Sequence, residues 1–130
     1  MNIFVRFSVI LLLLTALNGG DDLSLFNIIQ SNLSKYRQSV SSGDFSFQNG
    51  VIHLKLDGRR TNIKSQMLLG FYSVGLALNK MDISCRDIVI VINYNLKIGG
   101  QVYARASAGE VIKLSQGKIS SEQFFILIGY

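Results

Sequence analysis

The chain has 130 residues and 14.4 kDa, with 48% hydrophobic and 16% charged residues and a formal net charge of +5. That length holds one domain and excludes a multidomain enzyme, and the apolar share excludes a chain kept disordered by its charge. With 12 Gly, no Pro, no Trp and a single Cys, it is neither collagen-like nor Pro-rich, and it has no disulfide framework or cysteine-based zinc site.

Met1 to Arg6 carries one positive charge, Phe7 to Leu17 is an apolar run, and Asn18-Gly19-Gly20 follows before Asp21-Asp22. The order of basic, apolar and small segments predicts a secretory signal peptide over 1–20 and a single domain over 21–130. A membrane span takes about 20 apolar residues, so this run is short for one. An uncleaved N-terminal membrane anchor is the alternative. Export would place the domain in the periplasm or outside the cell, and removal of 1–20 leaves 12 basic and 8 acidic residues.

Over residues 22–40, Leu25, Ile28, Ile29, Leu33, Tyr36 and Val40 recur at i, i+3 and i+4, which predicts an amphipathic helix. Phe45 and Phe47 then alternate with polar residues before Asn49-Gly50, the strongest short hairpin signal, and Val51 to Asp57 forms the return strand. A second helix is predicted over about 62–80, with Thr61 or Asn62 as N-cap. Met67, Phe71, Val74 and Leu78 share one stripe, with Gly70 and Ala77 at its edge, while Leu68, Leu69, Tyr72 and Leu76 form a second apolar side. Such a helix must be covered twice.

Ile88 to Ile92 is an unbroken β-branched run, the pattern of a central strand buried on both faces. Gln101 to Ala108 is the next strand, with a smooth face of Val102, Ala104, Ala106 and Ala108 against which Gly70 and Ala77 could pack. Glu110 to Gln116 reads as a short helix closed by Gly117. Ile119, Ser120, Gln123 and Phe124 then combine a hydrophobic staple with a capping box and open a last helix. The fold expected is α+β, a two-layer sandwich with a four-stranded, largely antiparallel sheet in the order αββαββαα. From residue 22 to 94, with its Asn-Gly hairpin in FQNGVIHL, this order resembles the small αββαβ domains of bacterial envelope proteins such as the BON family, and also the helix-hairpin-helix order of roadblock-type domains. The resemblance is one of element order, and no site residue is carried over from it.

Chemistry is sparsely encoded. His53 is the sole histidine and sits on the polar face of its strand, with Asp57 a candidate neighbour and Cys85 the sole thiol. A small hydrolase using His53 is therefore the weakest of three readings, because no nucleophile or orienting carboxylate is identified by spacing. Each carboxylate has a structural reason at a helix start or loop, and no metal, cofactor or phosphate-loop motif occurs. Cys85 is read as a buried small hydrophobe in preference to half of an intermolecular bridge. Asn32-Leu33-Ser34 matches a glycosylation sequon.

Gly58-Arg59-Arg60-Thr61-Asn62 is the candidate ligand site, since two arginines beside a helix N-terminus suit an anion. Binding of anionic lipid headgroups or glycans through Arg59 and Arg60 is thus the second reading. The first is an exported, non-enzymatic interaction module, such as an accessory factor in cell-envelope assembly or secretion. Leu68, Leu69, Tyr72 and Leu76 would then be its contact surface, covered by the chain's own helices, by a protein partner or by a second copy in a homodimer. The scattered basic residues exclude a nucleic-acid stripe, and no catalytic residue, cofactor or metal is expected.

Overall fold

In the computed structural model, residues 22–38, 40, 42–95 and 99–129 are described; the expected signal peptide lies outside them. Helix α1 spans 22–34. After a short 3₁₀ turn come β1 (Phe45–Gln48) and β2 (Val51–Asp57), and a second 3₁₀ turn, Arg60–Asn62, leads into α2 (Ile63–Lys80). Strands β3 (Asp87–Asn95) and β4 (Gly100–Ser107) follow, then helices α3 (Ala108–Ser115) and α4 (Ser121–Leu127). The four strands lie side by side in chain order. Asn49 and Gly50, at φ 54° and 77°, both take the left-handed conformation that a two-residue hairpin requires, so β1 and β2 pair antiparallel. Because α2 crosses over between β2 and β3, those strands run parallel, and β3 with β4 is antiparallel again. The architecture is α+β with a mixed sheet in the expected element order.

Strand alternation assigns the two sheet faces. Ile52, Leu54 and Leu56 of β2, Ile88, Ile90 and Ile92 of β3, and Ala104 and Ala106 of β4 share one face and are buried in the core. Helix α2 lies over the middle of it, placing Met67, Phe71 and Val74 at zero exposure; each such side chain contributes roughly 1.5–3 kcal/mol on burial. Gly70 allows this approach, since a Cβ there would come within 3.0 Å of Ile90. The helix α1 packs beside α2 through buried Leu25, Ile29 and Leu33, and the buried Asn32 amide donates to the Ser73 carbonyl at 3.0 Å. That burial removes Asn32 as a glycan acceptor in the folded chain. On the other side, α3 presses against Gly75, where a Cβ would stand 2.6 Å from the Val111 carbonyl oxygen. The Phe124 ring of α4 meets Phe71 edge-on, centroids 5.0 Å apart.

The opposite sheet face carries no helix among the described residues. It presents His53, Asp57, Gln101, Tyr103, Arg105 and Ser107, all exposed. The β-branched run is buried as expected at Ile88, Val89, Ile90 and Ile92, with Val91 half-buried, although no described helix covers its second face. Val89 and Val91 point to this open face, and the buried Val89 stands between its cross-strand neighbours His53 and Arg105. The first helix is also shorter than the periodicity suggests. It stops at residue 34, the turn closes through the Gln38 N–H on the Leu33 carbonyl, and Arg37 takes φ 60° in the place a glycine commonly fills. Val40 still reaches the core, held by its N–H donating to Gln30 Oε1, whereas Tyr36 is 57% exposed. Gly70 packs on β2 and β3 instead of the small face of β4, and the closest helix contact, at Gly75, lies where the pattern of small residues did not point. The β4–α3 boundary falls earlier than expected, because the Ser107 hydroxyl caps α3 by accepting the Glu110 N–H.

Candidate functional site

The turn before α2 closes on itself. Gly58 donates its N–H to the Asn93 carbonyl at 2.8 Å and lies so near Ile92 that a Cβ would come within 2.8 Å of it. The Asn62 carboxamide oxygen accepts the Arg59 N–H at 2.8 Å, and the Asn62 N–H donates back to the Arg59 carbonyl. Asn62 stands at the N-cap position of α2, but its side chain serves this turn and not the helix. The two arginines diverge. Arg59 borders a recess of about 340 Å³ with Gln38, Asp57, Gly58, Asn62 and Gln66, while the Arg60 guanidinium lies over the Tyr94 ring, 5.7 Å from its centroid. Thr61 is exposed beside them. The recess is polar, with Asp57 opposing the charge of Arg59, and Gln66 Oε1 is buried with no hydrogen-bond partner among the described residues.

The outer side of α2 forms an apolar groove of about 360 Å³. Leu68, Leu69 and Tyr72 are its floor, Tyr36 from the turn after α1 is one wall, and Leu114 and Ile119 from the α3–α4 region are the other, with Ser65 and Ser121 at the ends. The cover expected for this side is thus partial. Leu68 and Leu69 are half-buried against the core, and the chain's own helices flank the groove without closing it. Leu76 is half-buried but does not line it. Sequence periodicity identified the floor. It missed the walls, because Tyr36 was placed on a buried stripe and Leu114 and Ile119 belong to elements whose docking angle no periodicity encodes. In the chain, the exposed basic residues Lys35, Arg37, Lys64, Lys113 and Lys118 are next to lining residues, against a single acidic neighbour, Glu122. Of these, Lys64 Nζ sits 4.8 Å from the centroid of the Phe125 ring and Lys113 Nζ lies 4.0 Å from Glu110.

His53 faces Ser46 across the β1–β2 ladder, in a shallow recess of about 170 Å³ that includes Asp44 and Lys55. No hydrogen bond orients its ring among the described residues, which a general base requires. Asp57 lies two rungs further along the same face. Cys85 is half-buried and donates its S–H to the Asp87 carbonyl at 3.5 Å. Burial, and then the nearby Asp87 charge, pushes its thiol up to about 11, so it stays protonated and is a poor nucleophile. Asp87 accepts a hydrogen bond from Arg105 Nη2 at 2.7 Å and one from Arg86 Nε at 3.2 Å, which hold its carboxyl below the usual range. No group of three metal-ligating side chains occurs among the described residues. A recess of about 520 Å³ lies at the hairpin tip between Asn49 and the 82–84 loop, with Asp22 and Asp82 on its rim. No helix of the described residues is long and apolar enough to cross a membrane. No family model matches the chain, and no curated protein or solved structure matches it.

Proposed function

We propose that the chain is an exported, non-enzymatic interaction module, an accessory factor in envelope assembly or secretion, that holds an acidic amphipathic helical segment of another exported protein in the groove on α2. The observation that carries this reading is an apolar groove whose lining residues have several exposed lysines and an arginine next to them in the chain. Its floor offers Leu68, Leu69 and Tyr72 at helical spacing, the arrangement that receives the i, i+3 and i+4 anchors of a bound helix. Its volume of about 360 Å³ suits a few apolar side chains of such a segment. Of the cations next to lining residues in the chain, Lys35, Arg37 and Lys118 are exposed and favour acidic residues on a partner, by steering more than by raw affinity. Export is supported by the basic, apolar and small order of residues 1–20.

The test uses two synthetic amphipathic helices with identical apolar faces, one with acidic and one with basic flanks, titrated against the full chain by fluorescence anisotropy. The acidic peptide should bind, more weakly as salt rises, and Leu69→Glu should weaken it at least tenfold. Equal binding of both peptides, or none, would sink the proposal. Binding of anionic lipid vesicles in place of either peptide, lost on Arg59→Ala/Arg60→Ala, would instead support the lipid-headgroup reading.

A further inference from the structure

The outer edge of β4 is open. It is the last strand of the sheet, and among the described residues nothing pairs with it on the side away from β3. The pattern of its hydrogen bonds follows from one observed bond. The Ala108 N–H donates to the Arg86 carbonyl at 2.8 Å, and residues 86 and 108 are directly opposite in the register that pairs Asp87 with Ser107. In an antiparallel ladder, residues bonded to the partner alternate with residues whose N–H and C=O point away. Val102, Ala104 and Ala106 therefore bond to β3, and Gln101, Tyr103 and Arg105 direct their backbone groups outward.

Open edges of this kind are usually guarded by charged side chains, proline, a bulge or a covering segment. The eight residues of β4 include neither lysine nor proline, its one charged residue, Arg105, is paired with Asp87, and the irregularity in the β3–β4 ladder falls at its far end, near Asn95 and Gly100. Tyr103, the side chain at mid-strand on the open face, is 71% exposed.

We infer that β4 pairs with β4 of a second copy, antiparallel about a two-fold axis through Ala104, joining two four-stranded sheets into one. Symmetric registers centred on Tyr103, Ala104 or Arg105 keep the outward groups at mid-strand facing each other. Centring the pair on Arg105 sets two like charges side by side, which is unfavourable. Centring it on Tyr103 leaves Arg105 facing Gln101. Centring it on Ala104 places each Tyr103 opposite the partner's Arg105 and gives two guanidinium–ring contacts on the open face. On the helix-covered face the same register brings Ala104 against its own copy and Val102 against Ala106, small side chains that let the strands close. The surface is independent of the groove on α2.

Sedimentation velocity on the full chain in mild detergent tests the pairing. The parent should sediment as a dimer. Tyr103→Pro removes an outward N–H that β3 does not use, and Tyr103→Lys sets a cation against the partner's arginine, so each should weaken the dimer at least tenfold while leaving the circular dichroism spectrum unchanged. Should the proline variant unfold, the lysine variant decides. In a Cys85→Ser background, chains carrying Tyr103→Cys mixed with chains carrying Arg105→Cys should form a mixed disulfide dimer on oxidation, in preference to either homodimer. A parent that is monomeric at its highest soluble concentration overturns the inference, as does a dimer that survives both substitutions. A dimer dissolved by Leu69→Glu but not at Tyr103 also overturns it, and assigns self-association to the groove.

Discussion

At Gly75 the α2 backbone lies against α3 with no room for a methyl group, since a Cβ would stand 2.6 Å from the Val111 oxygen and 2.8 Å from the Ser115 Cβ. Gly109, on the exposed side of α3, has nothing within 4 Å of the same atom. The two glycines therefore predict opposite signs for one substitution. Gly75→Ala should cost about 1–3 kcal/mol through forced separation of the helices, whereas Gly109→Ala should gain about 0.5–1 kcal/mol by stiffening the unfolded chain. Urea denaturation of both variants checks this, and a neutral Gly75→Ala would show that α3 can move aside. Periodicity revealed that α2 carries small residues but not which neighbour each one meets. Gly70 and Ala77 stood out because they border the apolar stripe. Gly75 flanks the other edge of that stripe, and its importance depends on where α3 docks, a long-range fact with no local trace. The Arg59–Arg60 pair shows the same limit: adjacency in sequence suggested one anion-binding fork, but Arg60 lies over the Tyr94 ring and Arg59 borders a recess with Asp57.

Elements were most legible where their ends are written in side-chain chemistry. The α4 N-terminus is the clearest case: Ser120 Oγ accepts the Gln123 N–H at 3.1 Å, and Gln123 Oε1 accepts the Ser120 N–H at 2.9 Å, the reciprocal pair expected from the Ser-x-x-Gln spacing. Because α4 has only seven residues and is held mainly by Phe124 and Phe125, its cap is a large share of its stability. Ser120→Ala should lower the stability of the whole domain by about 0.5–2 kcal/mol, measured by thermal unfolding, while Ser120→Asp should retain most of it. A larger loss in Ser120→Asp than in Ser120→Ala would show that the hydroxyl has a second role. Elements were least legible where composition admits two environments. The β-branched run of β3 favours a strand on a covered or an open face alike, since the preference is for a pleated surface. Its second face is screened by neighbouring side chains and not by a helical layer, and no periodicity within the run encodes that difference. In α1 the apolar spacing continues past residue 34 into a turn, so Val40 keeps its place in the core without belonging to a helix.

At the scale of the whole molecule, every helix among the described residues lies on one side of the sheet, which leaves, among those residues, an open face and two strand edges. β1 is a four-residue edge, too short to template much pairing, so the exposed backbone is concentrated on β4. Stability is distributed accordingly. The central strands β2 and β3 are bonded on both sides and share the core with α2, so their amides open only with global unfolding. β4 is bonded on one side alone, and its protection should alternate residue by residue. Residue-resolved hydrogen exchange at low concentration should find the Val102, Ala104 and Ala106 amides slow and the Tyr103 and Arg105 amides fast. Raising the concentration should slow Tyr103 and Arg105 while Val102 and Ala104 stay as they were, because only the outward set gains partners when two edges join. Uniform protection along β4 at low concentration would contradict the alternation deduced from the Ala108–Arg86 bond, and with it the register of any pairing through this edge.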